Sequence, residues 1–377
     1  MRDKRMTLFN VTRGAAAISI ALLVAMILIL ITSKTPFTAM RYLLIGPLVS
    51  FNEGSVIFNI QYIYQVLAAT IPIIFTGLAV TIMFSANQFN LAGEGCVLAG
   101  GFIGGILGVY LNINSGWHWV VSVLIATIAC GLIMLIPALL KVKLGASEMV
   151  TSLMLNFILL YIVLHYLNFH FADRTKGATM TKEFKPTAVI PSLVPGNSKL
   201  TVGFIIALVA TVLVTFFLYR TRWGYAIRMI GINESFSLYS GMNVGGTIVL
   251  AQVIGGLLSG MGGSLEVLGR YTTYLWRDLP GYGWVGITIA ILAKNNPAYV
   301  PLAAFFIAYL NKGCLLMSTY CDVPVEMIDI IQAAIFLFFA AEQFLSGYRQ
   351  KIVVKTTQED LMRLDASKYA GGGKNHV

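Results

Sequence analysis

The apolar runs of this chain leave few folds open to it. Runs at 62–84, 117–140, 148–167, 200–219, 247–268 and 298–317 are each close to 20 residues long and almost free of charge. That is the length an α-helix needs to cross a hydrocarbon layer of about 30 Å. Inside such a layer each segment must satisfy its own backbone, so a lone apolar run crosses as a helix. Further runs at 14–31, 95–111 and 327–344 and a short one at 284–293 bring the expectation to about ten spans. Charged residues make up 11% of the chain and mean hydropathy is +0.79, against roughly 25% charged in soluble domains. The polar stretches between runs are too short to build a second core. The expected fold is all-α: one polytopic membrane domain over 1–377, with broken or re-entrant segments.

The net charge of +10 does not point to nucleic acid, because the basic residues are scattered through loops and both ends. Read as topology, they place 1–13, 220–246 and the tail 346–377 in the cytoplasm, with about 16 Lys/Arg inside and about 9 outside. Lys312 is left near a span end, where it can snorkel. The run at 14–31 follows a basic start, as in a secretory signal, but it lacks an A-x-A-like cleavage site and reads as an uncleaved first span. Residues 42–50 are too short to cross and read as interfacial, and Pro72 suggests a kink in the second span. The ten-residue run 284–293 is short enough to be re-entrant.

Chemistry is sparse. There is no G-x-x-x-x-G-K-[ST] or G-x-S-x-G. The histidines (His118, His165, His170, His376) and cysteines (Cys96, Cys130, Cys314, Cys321) show no metal-ligand spacing. No metal and no cofactor are expected. Cys96 and Cys130 read as small core residues. Polar residues at membrane depth are costly and usually face an interior cavity, so four clusters stand out. Asn87, Asn90 and Glu94 precede the third span; either Glu94 caps that helix, or the cluster marks a broken helix lining a pathway. Glu148, Ser152 and Asn156, spaced by four, form a stripe on one helix face, for a pathway or for helix packing. Gly255–Gly263 and Gly100–Gly108 carry small-xxx-small spacings that suit close helix contact, with Glu266 expected at the interface. Tyr282 and Trp284, interleaved with glycines, suit either an interfacial anchor or stacking on a flat ring.

The polar, basic stretch 220–246 has its own helix signals. Asn233 is a good N-cap, Glu234 lies in the first turn and Gly241 fits just past the end. Two turns are marginal alone, so Phe236, Leu238 and Tyr239 are expected to rest on another surface.

Phe89–Gly95, Glu148–Asn156, Arg228–Asn233 with Gly241, and Gly281–Pro297 together resemble the inner-membrane permeases of bacterial ABC importers. The group is the branched-chain amino acid and simple sugar permeases, and the nearest branch is the nucleoside importers served by a basic-membrane-protein-type lipoprotein. The similarity runs in order from about 60 to 345. Cys96 stands where relatives usually have Gln, and Ser147 where they usually have Asn. The resemblance implies a permease subunit in the bacterial cytoplasmic membrane, in contact with lipid and paired with a second permease, as a heterodimer. It implies two cytoplasmic ATPase subunits that bind the ATP, an extracytoplasmic binding protein, and a nucleoside or simple sugar as solute, moved by alternating access. Gly224, Arg228, Gly231, Asn233, Phe236, Leu238, Tyr239 and Gly241 would couple to the ATPases, and no covalent chemistry would occur on this chain. The alternative is a stand-alone secondary transporter or channel, which would need carboxylates or histidines as an ion relay within the spans.

Overall fold

The computed structural model describes residues 35–321 apart from 53–54, 114–115, 176, 178, 195–198 and a few isolated positions beyond each end. Most of the expected first and tenth spans, and all of the segment 1–13 and the tail 346–377, lie outside the described residues. The chain divides into two units, Arg41–Thr319 and the paired ends Met1–Met40 with Tyr320–Val377. In the second unit the described positions 23, 26, 27, 29 and 30, and 36–40, are helical.

The elements of the larger unit begin with helix α1 (Pro36–Leu44), which enters from the other unit, and a hairpin of β1 (Val49–Asn52) and β2 (Ser55–Phe58). Helices α2 (Ile60–Ser85), α3 (Gly93–Tyr110), α4 (His118–Leu144) and α5 (Glu148–Tyr166) follow, the last running into a π turn at Leu167–Phe171. Next come α6 (Gly203–Arg220), α7 (Arg222–Ile232), α8 (Glu234–Tyr239), α9 (Val244–Arg270), α10 (Tyr282–Leu292), a 3-10 turn at Pro297–Tyr299, and α11 (Val300–Tyr320). Among the described residues, seven helices are long and apolar enough to span a membrane. They are the second to seventh and the ninth of the expected spans, with ends shifted by a few residues. The protein is a multi-pass helical membrane protein, though the full expected count of about ten is not reached within the described residues. Residues 42–50 are not a single interfacial piece, since the helix ends at Leu44 and a strand begins at Val49.

α9 is the centre of the packing. Its glycines remove the side chains that would hold neighbours away. A Cβ on Gly263 would stand 2.0 Å from the Val97 carbonyl oxygen, and one on Gly260 would stand 2.4 Å from Cys130 Cβ. Gly100 of α3 meets the Gly260 carbonyl in the same way, at 2.4 Å. The small-xxx-small spacings therefore are close helix contacts. Gly100 lies by Gly260 and Gly108 by Leu268, so α3 and α9 run parallel. Gly131 lies by Leu257 and Gly245 by Val142, so α4 runs antiparallel to α9. Cys96 and Cys130 are buried between α3 and α4, where the Cys130 thiol donates to the Cys96 carbonyl at 3.3 Å. Ile205, Val209, Val212, Leu213 and Phe216 of α6 are exposed, an apolar face suited to contact with lipid.

The connection from α5 to α6 is a bonded cover. The Phe184 amide donates to the Thr272 carbonyl (2.8 Å), Lys185 to Gly108 (3.0 Å) and Ile190 to Leu268 (3.2 Å). His118, fully buried, bonds Thr187 Oγ1 at 2.9 Å and the Leu107 carbonyl at 3.1 Å. Beneath the cover Tyr274 is buried, edge-on to Phe102 and Trp276.

Candidate functional site

Two helices of the bundle start in its interior. α2 ends at Ser85, the chain turns through Asn87 in the left-handed region (φ 55), and α3 begins only at Gly93. An ideal Cβ on Gly93 would lie 3.3 Å from Ser259 Oγ. Ser259 is about 22 Å along α9, which is about 40 Å long at 1.5 Å per residue. The start of α3 is thus near mid-depth, with 86–92 as irregular backbone leading to it.

Irregular backbone at depth has to be satisfied by side chains, and the stripe on α5 does this. Ser152 Oγ accepts from the Leu91 amide (2.9 Å). Asn156 Nδ2 donates to the Leu91 carbonyl (3.0 Å), and its Oδ1 accepts from the Gly95 amide (2.8 Å). Both side chains are fully buried. Asn90 accepts from the Ala92 amide and donates to Gln252 Oε1 of α9 at 2.9 Å, and Gln252 reaches back to Gln88 at 3.4 Å. Glu148, the third member of the stripe, forms an ion pair with Lys141 across the α4–α5 turn at 2.8 Å. Asn90 and Glu94 do not share a helix face, because Asn90 precedes the helix. Asn87 is exposed.

The second break comes from the opposite end of the bundle. After Arg270 the chain runs irregularly to Gly281 (φ 84), and α10 begins at Tyr282. With 11 residues α10 is about 16 Å long, about half of what a crossing needs. Its N-terminus is capped by Glu94, whose two carboxylate oxygens accept the amides of Gly281 and Gly283. Glu94 is 1% exposed. It sits in the first turn of α3 yet caps a different helix, which neither sequence reading of this residue foresaw. A carboxylate there is doubly placed, since it satisfies orphan donors and complements the positive end of the helix dipole. The glycines of 281–286 make room for this seat. A Cβ on Gly283 would lie 2.6 Å from the Glu94 amide nitrogen, and one on Gly286 would lie 2.8 Å from Thr76 Oγ1.

Tyr282 donates from its hydroxyl to Glu266 Oε1 at 3.1 Å, and Glu266 also pairs with Arg270 at 2.9 Å. Glu266 is 3% exposed, so the expected interfacial placement is corrected: two partners offset its burial. Trp284 is exposed and Tyr282 half-buried.

The 220–246 stretch contains one more helix than its sequence suggested. α7 is anchored firmly. Thr221 Oγ1 caps it through the Gly224 amide (3.1 Å), and Arg228 Nε donates to the Leu218 carbonyl (3.1 Å) with its guanidinium over the Tyr219 ring. Gly224 and Gly231 are packing positions, whose Cβ atoms would stand 2.1 Å from the Phe217 carbonyl oxygen and 2.0 Å from that of Ser85. α8 has the expected caps. Asn233 Oδ1 accepts from the Phe236 amide at 2.9 Å, and Gly241 (φ 78) lies just beyond Ser240. Phe236, Leu238 and Tyr239 are 54%, 62% and 90% exposed. Among the described residues no three histidine, cysteine or carboxylate side chains gather as a metal site.

Discontinuous helices meeting inside a bundle of spans, with their polar groups spent on backbone, are an arrangement that membrane transport proteins use. The sequence pattern of the family described as "Branched-chain amino acid transport system / permease component" matches residues 62–340, and the chain belongs to that family. It is similar to a guanosine ABC transporter permease of Bacillus subtilis, 30% identical over 302 residues, covering 78% of this chain and 86% of that one. A glucose ABC transporter permease of Haloferax volcanii is 29% identical over 318 residues, 82% of each chain. A nucleoside ABC transporter permease of Lactococcus lactis is 28% identical over 285 residues, 73% of this chain and 77% of that one. No solved structure matches the chain. The protein is an ABC transporter permease of the branched-chain and sugar group, near the nucleoside permeases, and its complex has other components.

Proposed function

We propose that this chain is half of the membrane pathway of an ATP-driven importer in the bacterial cytoplasmic membrane, carrying a nucleoside or simple sugar by alternating access. A second permease subunit, two ATPase subunits that bind the ATP, and an extracytoplasmic binding protein complete the assembly. The solute class follows the relatives, which are guanosine, nucleoside and glucose permeases.

The observation that carries this reading is the six-residue helix α8. It presents Phe236, Leu238 and Tyr239 outward, has a cap at each end, and stands on a rigid base. Tyr or Phe side chains of this kind bury roughly 150 Å² or more each when a partner covers them. The base continues inward. α7 touches the Ser85 backbone through Gly231, and Ser85 is where α2 gives way to the irregular segment 86–92. A push on α8 therefore reaches the first chain break within one packed contact. In this arrangement Asn90, Glu94, Ser152 and Asn156 hold the walls of the route, Asn87 and Glu148 stand at its cytoplasmic end, and Tyr282 and Trp284 offer rings on which a flat solute can stack.

Phe236→Asp tests the reading. The variant is expected to insert and fold as the wild type, to lose most of its ATPase in co-purification from detergent, and to stop solute uptake. An unpaired charge at a buried interface costs roughly 3 kcal/mol or more, enough for a loss of about a hundredfold in affinity. Normal ATPase recovery together with normal uptake would remove α8 from the coupling role.

A further inference from the structure

A cleft at the end of the bundle opposite α8 has no part in the function above. It measures about 250 Å³ and is lined by Gln65 and Ala68 of α2, Lys199 ahead of α6, and Arg270 at the end of α9. Lys312 of α11 joins it through Gln65, to whose Oε1 it donates at 2.6 Å. Arg270 and Lys312 are near enough for their charges to interact, and so are Lys199 and Glu266.

The charges around this cleft do not balance. Among the described residues three cations share one carboxylate, and Glu266 is already committed to Arg270 at 2.9 Å and to the Tyr282 hydroxyl at 3.1 Å. Among the described residues Lys312 has only a neutral amide and the face of the Tyr62 ring, 4.6 Å from the centroid. Lys199 has no hydrogen-bond or salt-bridge partner among the described residues. Like charges held together in a partly buried recess repel one another, and an anion between them relieves that repulsion. The donor set suits an oxyanion: a guanidinium fork, two ammonium groups and an amide. The cleft is smaller than the 300–1,000 Å³ typical of pockets for drug-sized ligands, so it is matched to a small anionic group rather than to a nucleoside or sugar.

We propose that this cleft is a binding site for a phosphate-type anion, supplied either as free phosphate or as the headgroup of an anionic phospholipid. The inference does not depend on the solute or on the coupling role of α8. Binding is read on the full-length protein, alone or with its partner subunits, in two kinds of nanodisc. In discs of phosphatidylcholine alone, inorganic phosphate is titrated against thermal unfolding. In discs containing phosphatidylglycerol, with no free phosphate, lipid retained after extraction is counted by native mass spectrometry.

The wild type is expected to be stabilised by phosphate or to retain phosphatidylglycerol. The double variant Lys199→Gln/Lys312→Gln is expected to lose at least tenfold in affinity for whichever it is, and Lys143→Gln, at the other end of the bundle, to lose none. Retention of lipid without phosphate stabilisation assigns the headgroup, and the converse assigns the free anion. Arg270 is left intact, because removing it would strand Glu266. Equal unfolding temperatures of the double variant and wild type without anion show that the fold is kept, and Lys199→Gln alone replaces the double variant if they differ. A wild type that binds neither probe, or variants that bind as the wild type does, overturns the site.

Discussion

Glu94→Gln is the sharpest probe of the interior, because the change keeps the shape and alters only what the side chain can accept. In the wild type, both carboxylate oxygens accept backbone amides, from Gly281 and from Gly283. Glutamine keeps one carbonyl oxygen and turns an NH2 toward the other amide, so one buried donor loses its acceptor. That loss costs about 1–3 kcal/mol. Removing negative charge from a buried helix N-terminus adds up to about 2 kcal/mol. Together the seat of α10 should weaken by about 2–4 kcal/mol, equivalent to about 30- to 1,000-fold in its local opening equilibrium. The readout is amide hydrogen exchange in peptides covering 277–286, which contain the two donors themselves. Exchange there is expected to accelerate at least about 30-fold, with peptides from α4 and the middle of α9 unchanged. Glu94→Asp, which keeps the charge on a shorter stem, should fall between. Exchange of 277–286 in the glutamine variant within twofold of wild type would refute the cap as the tie that holds α10.

Asn156→Leu removes the partners of the Leu91 carbonyl and the Gly95 amide at once; a loss of about 2–5 kcal/mol should lower the unfolding temperature of the purified protein and cut its membrane yield. Gly263→Ala drives a methyl group to 2.0 Å from the Val97 carbonyl and should abolish a stable fold, whereas Gly245→Ala meets only the end of the Val142 side chain at 2.7 Å and should cost less than about 1 kcal/mol; size-exclusion profiles of the two in detergent separate them. A cysteine placed in 175–195 should react with an impermeant maleimide added outside intact cells, and one at 143 should react only after lysis; the reverse pattern would invert the topology and move α8 away from any cytoplasmic ATPase.

The spans were legible because length and low charge are properties of contiguous sequence. The expected 62–84 and the observed Ile60–Ser85 differ by a few residues, and α8 was placed by its caps alone. What could not be read was pairing across long separations. Glu94 finds Gly281, 187 positions on, and Asn90 finds Gln252, 162 positions on, and no local spacing announces either. Gln252 did leave a signal: it is a lone amide in the apolar run 247–268, where an unpaired polar group would be expensive. α7 was hidden because Gly224 and Gly231 lower helix propensity. Both glycines are there for contact, one with the end of α6 and one with the end of α2.

The two breaks are held by different means, and the difference orders the motions that the bundle can make. Segment 86–92 is tied to two helices, to α5 through Ser152 and Asn156 and to α9 through Gln252, and is braced internally by the Asn90 turn. Moving it would strip several buried backbone groups of partners that nothing nearby replaces, and each such loss is costly. The start of α10 rests on Glu94, on the Tyr282 hydroxyl bond to Glu266, and on glycine contacts with α3 and α2 that are tight but carry no side chain to interlock. Tilting α10 away frees two amides and one carboxylate, and water entering the opened space can satisfy all three. On the proposed alternating mechanism, the neutral amide network would be the fixed wall and the carboxylate cap the tie that opens. An alternating route through this bundle would open first on the side of α10, and so Glu94 rather than Asn156 is the residue whose conservative replacement should change exchange without changing the fold.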